Sequence, residues 1–357
     1  MQGQSAFRSF GFLGLIWAVL LACWLAQRLH MPLWVMLAIV PVAIVIFLAL
    51  VMATKIIAGD ERIVYYHHEI AVVTGTALFV KLVHKPVLPY LDITILGIGL
   101  FLACGRIGCL LAGCCHGRPF RWGFRYGEEF AAAGFTPYYV GIPLFPVQAV
   151  ESFWALCIVG DGTSMIIRGS APGSVLALYV VLYGLGRFCF EFLRGDPERP
   201  YLLGVSEAQW TSLILMWLIV FGEVTSRLPF RTWHIAAAAL VAVTMIAVAV
   251  YRPSMHRLRY PRHVREIAEA IRFAKDHAGP QIRVGHTSLG IRISIGEIRI
   301  AGECRSHYAV SRDDGTMSAD SARELAKVIC LLRHSSADFE LVRGNGGVFH
   351  VLIPSTD

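Results

Sequence analysis

The chain has 357 residues, of which 56% are hydrophobic and only 16% charged, and its formal net charge is +7. Soluble domains usually carry about 25% charged residues, so this composition indicates a membrane protein. The positive charge suits anionic lipid headgroups, and basic residues spread between apolar runs argue against nucleic acid as a partner. The 9 cysteines are odd in number and lie mostly in apolar segments, which argues against a disulfide framework.

Two long apolar segments open the chain. Phe10–Leu25 could be a signal peptide, and it contains a sequence like a lipoprotein cleavage box, but the apolar character continues and further segments follow. We therefore interpret it as an uncleaved membrane helix. Leu33–Thr54 is the second predicted span, because a bilayer crossing needs about 20 residues.

A short polar insert leads into the third apolar run. His67, His68 and Glu69 follow two tyrosines, and the run Ile70–Val83 behind them is short for a bilayer crossing. Taken alone, this histidine-glutamate cluster indicates only the solvated start of a helix.

The fourth predicted span, Leu91–Cys115, contains an arginine, Arg106, in a glycine-rich setting. An arginine at the centre of a bilayer helix costs at least about 2.5–3.5 kcal/mol, so it needs a partner and marks a candidate functional site. Its planar fork suits a phosphate, and we expect it to hold a phosphate-bearing lipid. The alternative is an arginine near a helix end that reaches the headgroups.

A polar and aromatic loop, residues 117–141, follows this span. Ordered loops of this length are usually functional, and we expect a cap over a site that lipids enter. The fifth span begins at Phe145–Glu151, where Gln148 and Glu151 are three residues apart and share a helix face.

The sixth predicted span, Pro172–Leu193, carries polar residues on one stripe. Tyr183, Arg187, Glu191 and Arg194 are spaced by four, four and three residues, which places them on one side of a helix. Such a stripe should face a polar cavity or another helix. The alternative is an Arg187–Glu191 salt bridge that only joins helices.

Two more apolar segments and a change of composition complete the chain. Ala208–Val224, with Ser206 as its predicted N-cap, and Trp233–Tyr251 are the seventh and eighth segments. We predict an all-α polytopic membrane bundle of seven or eight helices over residues 1–251 and a small soluble α+β domain over residues 252–357. The tail should contain helices at 263–277 and 318–333, a hairpin over 281–301, and strands at 339–342 and 348–354.

Together these segments resemble the prolipoprotein diacylglyceryl transferase family, over roughly residues 60–222. The stretch 105–118 looks like its glycine-arginine signature, with Arg106 on the phosphate-binding arginine, and Asp92 falls on a family aspartate. The stretches 145–151, 187–194 and 208–212 are similar to its proline-x-glutamine segment, its second arginine signature and the start of its last helix.

The chain also departs from the family pattern. Cys109 and Cys114 stand where the family usually has an asparagine and an acidic residue. The family histidine lies in a His-Gly-Gly segment, which neither His67 nor His68 has. The eighth segment and the tail lie outside the basic family plan.

The resemblance implies transfer of a diacylglyceryl group from phosphatidylglycerol to a cysteine thiol of a lipoprotein precursor, in the bacterial cytoplasmic (inner) membrane, without a cofactor or metal. Membrane lipids, phosphatidylglycerol and lipoprotein precursors are the expected partners. The implied catalytic residues are Arg106, Arg187, Glu191, His67 and His68. The implied substrate-binding residues are Gly105, Gly108, Gly117, Arg118, Gln148, Glu151, Tyr183 and Arg194.

Three alternatives stay open. The chain could use a different acceptor, or bind lipids or anions without catalysis. Cys109, Cys114, Cys115 and His116 could also form a metal or redox site. Adjacent Cys114 and Cys115 fit the usual zinc spacing poorly, however, and packing of cysteines in a close helix contact is the simpler interpretation.

Overall fold

The computed structural model describes residues 2–59, 65–196, 200–251, 258–275, 282–300, 303–315, 317–333 and 338–354. The chain divides into two compact units. The first comprises residues 1–115, 146–194 and 201–248, and the second comprises residues 116–145, 195–200 and 249–357.

Helices dominate the described part of the chain. They are α1 Gln2–Arg28, α2 Leu33–Ala58, α3 Tyr65–Leu82, α4 Val87–Ala112, α5 Glu128–Ala131, α6 Val147–Ile167, α7 Ser174–Phe190, α8 Glu207–Val224, α9 Thr232–Tyr251, α10 Pro261–Lys275 and α11 Ala319–Leu332. The strands are β1 Pro119–Phe124, β2 Tyr201–Leu202, β3 Val205–Ser206, β4 Gly285–His286, β5 Ile291–Ile300, β6 Glu303–Arg312, β7 Glu340–Arg343 and β8 Phe349–Pro354.

Six helices of the described residues are long and apolar enough to cross a membrane, namely α1, α2, α4, α6, α7 and α9. The helices α3 and α8 have 18 residues each, which is about 27 Å of helix, and both carry charged side chains. The predicted polytopic helix bundle is confirmed. The predicted number of seven or eight spans is approximate, because it depends on how these two shorter helices are counted.

The first unit is built around α4, which packs against α1, α3, α6 and α7. Gly108 permits a close approach of α1, since a Cβ atom there would lie 3.2 Å from Phe7 Cα. Asp92 on α4 accepts hydrogen bonds from the backbone N–H groups of Gly173 and Leu176, at 2.6 and 2.7 Å. It therefore satisfies donors at the start of α7 that have no partner within the helix.

The second unit contains a five-stranded antiparallel sheet in the order β4-β5-β6-β8-β7. The two predicted helices and the predicted strands near the end of the chain are confirmed, although residues 276–277, 281 and 301 of the predicted segments lie outside the described residues. The hairpin predicted over 281–301 is confirmed only for the short pairing of β4 with β5, because residues 291–300 form one continuous strand. The central strand β6 was not predicted. It pairs along its whole length with β5 and buries Tyr308 and Val310 against the helices.

The segment 116–145 shares one hydrophobic core with the C-terminal part of the chain. Its buried side chains Tyr126, Phe135 and Leu144 belong to the same cluster as Ile267 of α10 and Leu325 of α11.

Candidate active site

Glu151 of α6 is the centre of a buried cluster of charged and hydroxyl groups. Its side chain is 0% exposed. Arg106 of α4 places Nε 3.0 Å from Glu151 Oε2, off the line of a hydrogen bond. Arg194 places Nη1 3.7 Å from the same oxygen, and the hydroxyl of Tyr183 donates to Oε1 at 2.8 Å. Three segments distant in sequence thus converge on one carboxylate.

Arg187 and Glu191 form a second pair beside this carboxylate. Arg187 Nη2 lies 2.7 Å from Glu191 Oε1, with both side chains buried, as their spacing of four residues predicts. Arg187 is also close enough to Glu151 to interact with it electrostatically. Its Nε and Nη1 are buried and have no hydrogen-bond partner among the described residues. Two N–H-bearing nitrogens of one guanidinium are therefore available to a ligand.

The cluster brings three arginines together with two glutamates. Arg106, Arg187 and Arg194 contribute three positive charges, and Glu151 and Glu191 contribute two negative ones. A buried N–H group without an acceptor costs about 1–3 kcal/mol, and Nε and Nη1 of Arg187 are two such nitrogens among the described residues. The site is therefore suited to an anion, and the fork geometry of arginine suits a phosphate oxygen pair.

A group of tyrosines connects the cluster to α3. The rings of Tyr179 and Tyr183 stack with centroids 5.5 Å apart, and the hydroxyls of Tyr179 and Tyr65 are 3.0 Å apart. Tyr66 forms a hydrogen bond of 2.7 Å with Ser212 of α8. These contacts hold Tyr183, and through it the Glu151 carboxylate, in one orientation.

The predicted N-terminus of α8 is confirmed and contributes to the same framework. Ser206 accepts a hydrogen bond from the backbone N–H of Gln209, and the Gln209 side chain accepts one from the backbone N–H of Ser206. This is a capping box. The side-chain amide of Gln209 also donates to the Phe188 carbonyl at 3.1 Å, which joins α8 to the helix that carries Arg187.

The two candidate histidines lie at the start of α3 against other helices. His67 Nε2 is 2.7 Å from Glu207 Oε1, and both side chains are nearly half-exposed. His68 is buried, and its ring centroid lies 4.6 Å from that of Phe47. These contacts join His67 to α8 and His68 to α2.

Glu69 is a buried carboxylate that the sequence did not single out as a site residue. It is 7% exposed, and its Oε2 has no hydrogen-bond partner among the described residues. It interacts electrostatically with Tyr65, Tyr66 and Tyr179. The sequence shows Glu69 at the polar start of an apolar segment, which could have marked it as a candidate. Only the packing of α3 shows that its carboxylate is buried.

The remaining candidate residues have mixed surroundings. Gln148 donates to the Cys114 carbonyl at 2.8 Å and so fastens α6 to the end of α4. A Cβ atom at Gly105 would meet open space, so a ligand could approach the helix there. Gly108, in contrast, packs against α1. Gly117 and Arg118 belong to the second unit, where the Arg118 carbonyl accepts a hydrogen bond from Phe145 N–H at 2.8 Å.

The helices and this cluster define a multi-pass membrane protein with a buried arginine-carboxylate site. A family model described as prolipoprotein diacylglyceryl transferase matches residues 8–225. The chain therefore belongs to the prolipoprotein diacylglyceryl transferase family.

Individual relatives agree with this assignment. A phosphatidylglycerol--prolipoprotein diacylglyceryl transferase of Clostridium tetani is 35% identical over 144 residues, which are 40% of this chain and 56% of the relative. The transferase 2 of Clostridium perfringens is 34% identical over 133 residues, 36% of this chain and 49% of the relative. One from Dehalococcoides mccartyi is 29% identical over 170 residues, 46% and 61% of the two chains. The chain spans about half the length of these relatives.

Proposed function

We propose that the protein transfers a diacylglyceryl group from phosphatidylglycerol to the cysteine thiol of a lipoprotein precursor. The observation that carries this proposal is the buried cluster of three arginines and two glutamates in which two nitrogens of Arg187 have no hydrogen-bond partner among the described residues. The names of the family and of its relatives supply the reaction, and the cluster supplies a binding site for its phosphate.

In this reaction the thiolate sulfur attacks the glyceryl carbon that carries the phosphate ester. A C–S bond forms, the C–O bond breaks, and glycerol phosphate leaves with the electron pair of that bond. Negative charge grows on the phosphate in the transition state. Arg106 and Arg187, with Arg194 beside them, are placed to stabilise that charge, while Glu191 holds Arg187 and Glu151 holds Arg106.

The thiol must lose its proton for this attack, because the thiolate is the nucleophile. His67 and His68 are the candidate bases that the sequence indicates. Glu69 is a third candidate, since its buried Oε2 is without a hydrogen-bond partner among the described residues. The bound phosphate itself is a fourth acceptor. We propose that the base is one of these groups at the start of α3 or the departing phosphate.

The proposed setting is the bacterial cytoplasmic membrane. The protein is multi-pass, and both proposed substrates carry acyl chains or apolar signal segments that lie in the bilayer. A helix bundle open to lipid allows them to enter sideways. The proposed reaction needs no cofactor.

The test is complementation of a bacterium depleted of its own diacylglyceryl transferase, with membrane abundance of each variant measured. Wild type should rescue growth and lipoprotein modification, and Arg106→Ala and Arg187→Ala should not. Arg168→Ala is the matched control, because Arg168 is an exposed arginine at the end of α6, and it should rescue. Turnover retained by both site variants would refute the assignment of these arginines.

A related transferase with a different acceptor is the second candidate. Its support is the replacement of the usual signature asparagine and acidic residue by Cys109 and Cys114. The assay supplies purified protein with phosphatidylglycerol in vesicles and no precursor. If the second candidate is correct, glycerol phosphate is released only when the other acceptor is added. Release that depends on a precursor peptide with its cysteine would support the first candidate.

A further inference from the structure

Three cysteine thiols converge where α4 ends. The Sγ atoms of Cys109, Cys114 and Cys115 all lie within 4.8 Å of one another. We propose that these three thiolates bind a thiophilic d10 metal ion, Zn²⁺ or Cu⁺. This site lies beside Arg106 and Arg194 of the proposed phosphate site, but its test does not depend on the transferase activity.

The backbone brings these residues together through an unusual turn. Gly113 ends α4 with φ of 79°, and Cys115 has φ of 54°, which is uncommon for a residue with a side chain. The turn folds residues 114 and 115 back over the last turn of the helix. Cys114 Sγ consequently lies 3.9 Å from the Cys109 carbonyl oxygen. Strained backbone conformations of this kind cluster at functional sites.

The distances suit a metal with thiolate ligands. Zinc–sulfur bonds are about 2.3 Å, which places the sulfurs of a tetrahedral centre about 3.8 Å apart. A separation within 4.8 Å closes to that value by small rotations of the side chains. Soft thiolates select Zn²⁺ and Cu⁺ over harder cations, and Cu⁺ accepts three sulfur ligands without a fourth.

Two arginines lie near the cysteine group. Cys115 interacts electrostatically with Arg106 and Arg194. Three thiolates with Zn²⁺ carry a net charge of −1, and with Cu⁺ a net charge of −2, and both complexes would lie beside these arginines. In the sequence, the adjacent positions of Cys114 and Cys115 argue against a metal site. The structure adds a third ligand, Cys109, from the last turns of α4.

The site is tested on the purified, reduced full-length chain. Titration with Cd²⁺, a spectroscopic substitute for Zn²⁺, should produce an ultraviolet sulfur-to-metal charge-transfer band that saturates at one ion per chain. Competition with a chromophoric chelator then gives the affinity for Zn²⁺ and, in a separate anaerobic titration, for Cu⁺. Tighter retention of one of the two identifies the ion.

Single variants locate the ligands. Cys109→Ser, Cys114→Ser and Cys115→Ser should each weaken binding about tenfold or more. Cys157→Ser is the matched control, because Cys157 is an exposed cysteine of α6 outside the group, and its binding should equal that of wild type. Thermal unfolding of every variant in the same detergent shows whether it is folded.

The wild-type chain alone can overturn the proposal. Absence of the charge-transfer band in folded protein whose thiols are shown to be reduced would do so, whatever the variants show. Equal metal binding after simultaneous replacement of all three cysteines would also exclude the site. A stable disulfide among them that persists under reducing conditions and blocks metal binding would also overturn the proposal and assign two of the cysteines to a structural disulfide.

Discussion

Arg187→Lys separates the charge of the guanidinium from its geometry. In the structure, Arg187 uses Nη2 for Glu191, and Nε and Nη1 have no hydrogen-bond partner among the described residues. Lysine keeps the positive charge but offers one nitrogen, so it can bind Glu191 or a phosphate oxygen but not hold both in the same way. Loss of one donor to a developing oxyanion costs about 2.7–4 kcal/mol, and kcat should fall about 10²–10³-fold.

The stability of this variant should change much less than its activity. The ion pair with Glu191 remains available to lysine, whereas Arg187→Ala removes one partner of a buried pair, which costs about 3–5 kcal/mol. The assay follows diacylglyceryl transfer from phosphatidylglycerol to a precursor peptide in vesicles, with thermal unfolding measured on the same preparations. Arg168→Lys, at the exposed end of α6, is the control.

The reasoning is refuted if Arg187→Lys retains turnover within about twofold of wild type. A parallel loss of stability and activity would also contradict it, since the pair would then serve only to join turns of α7.

Three further predictions concern other parts of the chain. Arg106→Met should lower the free energy of unfolding by about 3–5 kcal/mol because Glu151 then loses a buried partner, and Arg106→Met with Glu151→Met should recover part of that stability but no transferase activity. In the tail, burial lowers the pKa of His307, and the neighbouring His350 lowers it further. The folded tail therefore favours neutral His307, and the stability that this preference contributes is complete above the ordinary pKa of 6.5 and is lost as pH falls below it. The hydrogen-exchange protection factors in β6 of the full chain, which are corrected for the intrinsic effect of pH on exchange, should therefore fall between pH 7.5 and pH 5, and less so in His307→Asn. An impermeant maleimide should label exposed Cys304 of β6 and Ala132→Cys from the same side of the membrane, with Cys304→Ser as control; labelling from opposite sides would contradict the shared core.

Much of the membrane part follows from the sequence alone, because the signals are local. Apolar runs of sufficient length predict spanning helices, and the spacing of Arg187 and Glu191 predicts the salt bridge that forms within one helical turn. Ser206 and Gln209 likewise predict the start of α8 from residues three apart. Asp92 is a different case, since its partners are backbone groups of α7 that no local pattern identifies.

The tertiary structure decided which distant groups meet. Glu151 comes to Arg106 through the packing of α6 on α4, Glu69 becomes a buried carboxylate through the packing of α3, and β6 acquires its place by pairing with strands on both sides. The segment 116–145 joins the core of the tail in the same way. Periodicity records only which face of an element is apolar, whereas the partner of a buried charge is chosen by the neighbouring element, because burial without a counter-charge is too costly to persist.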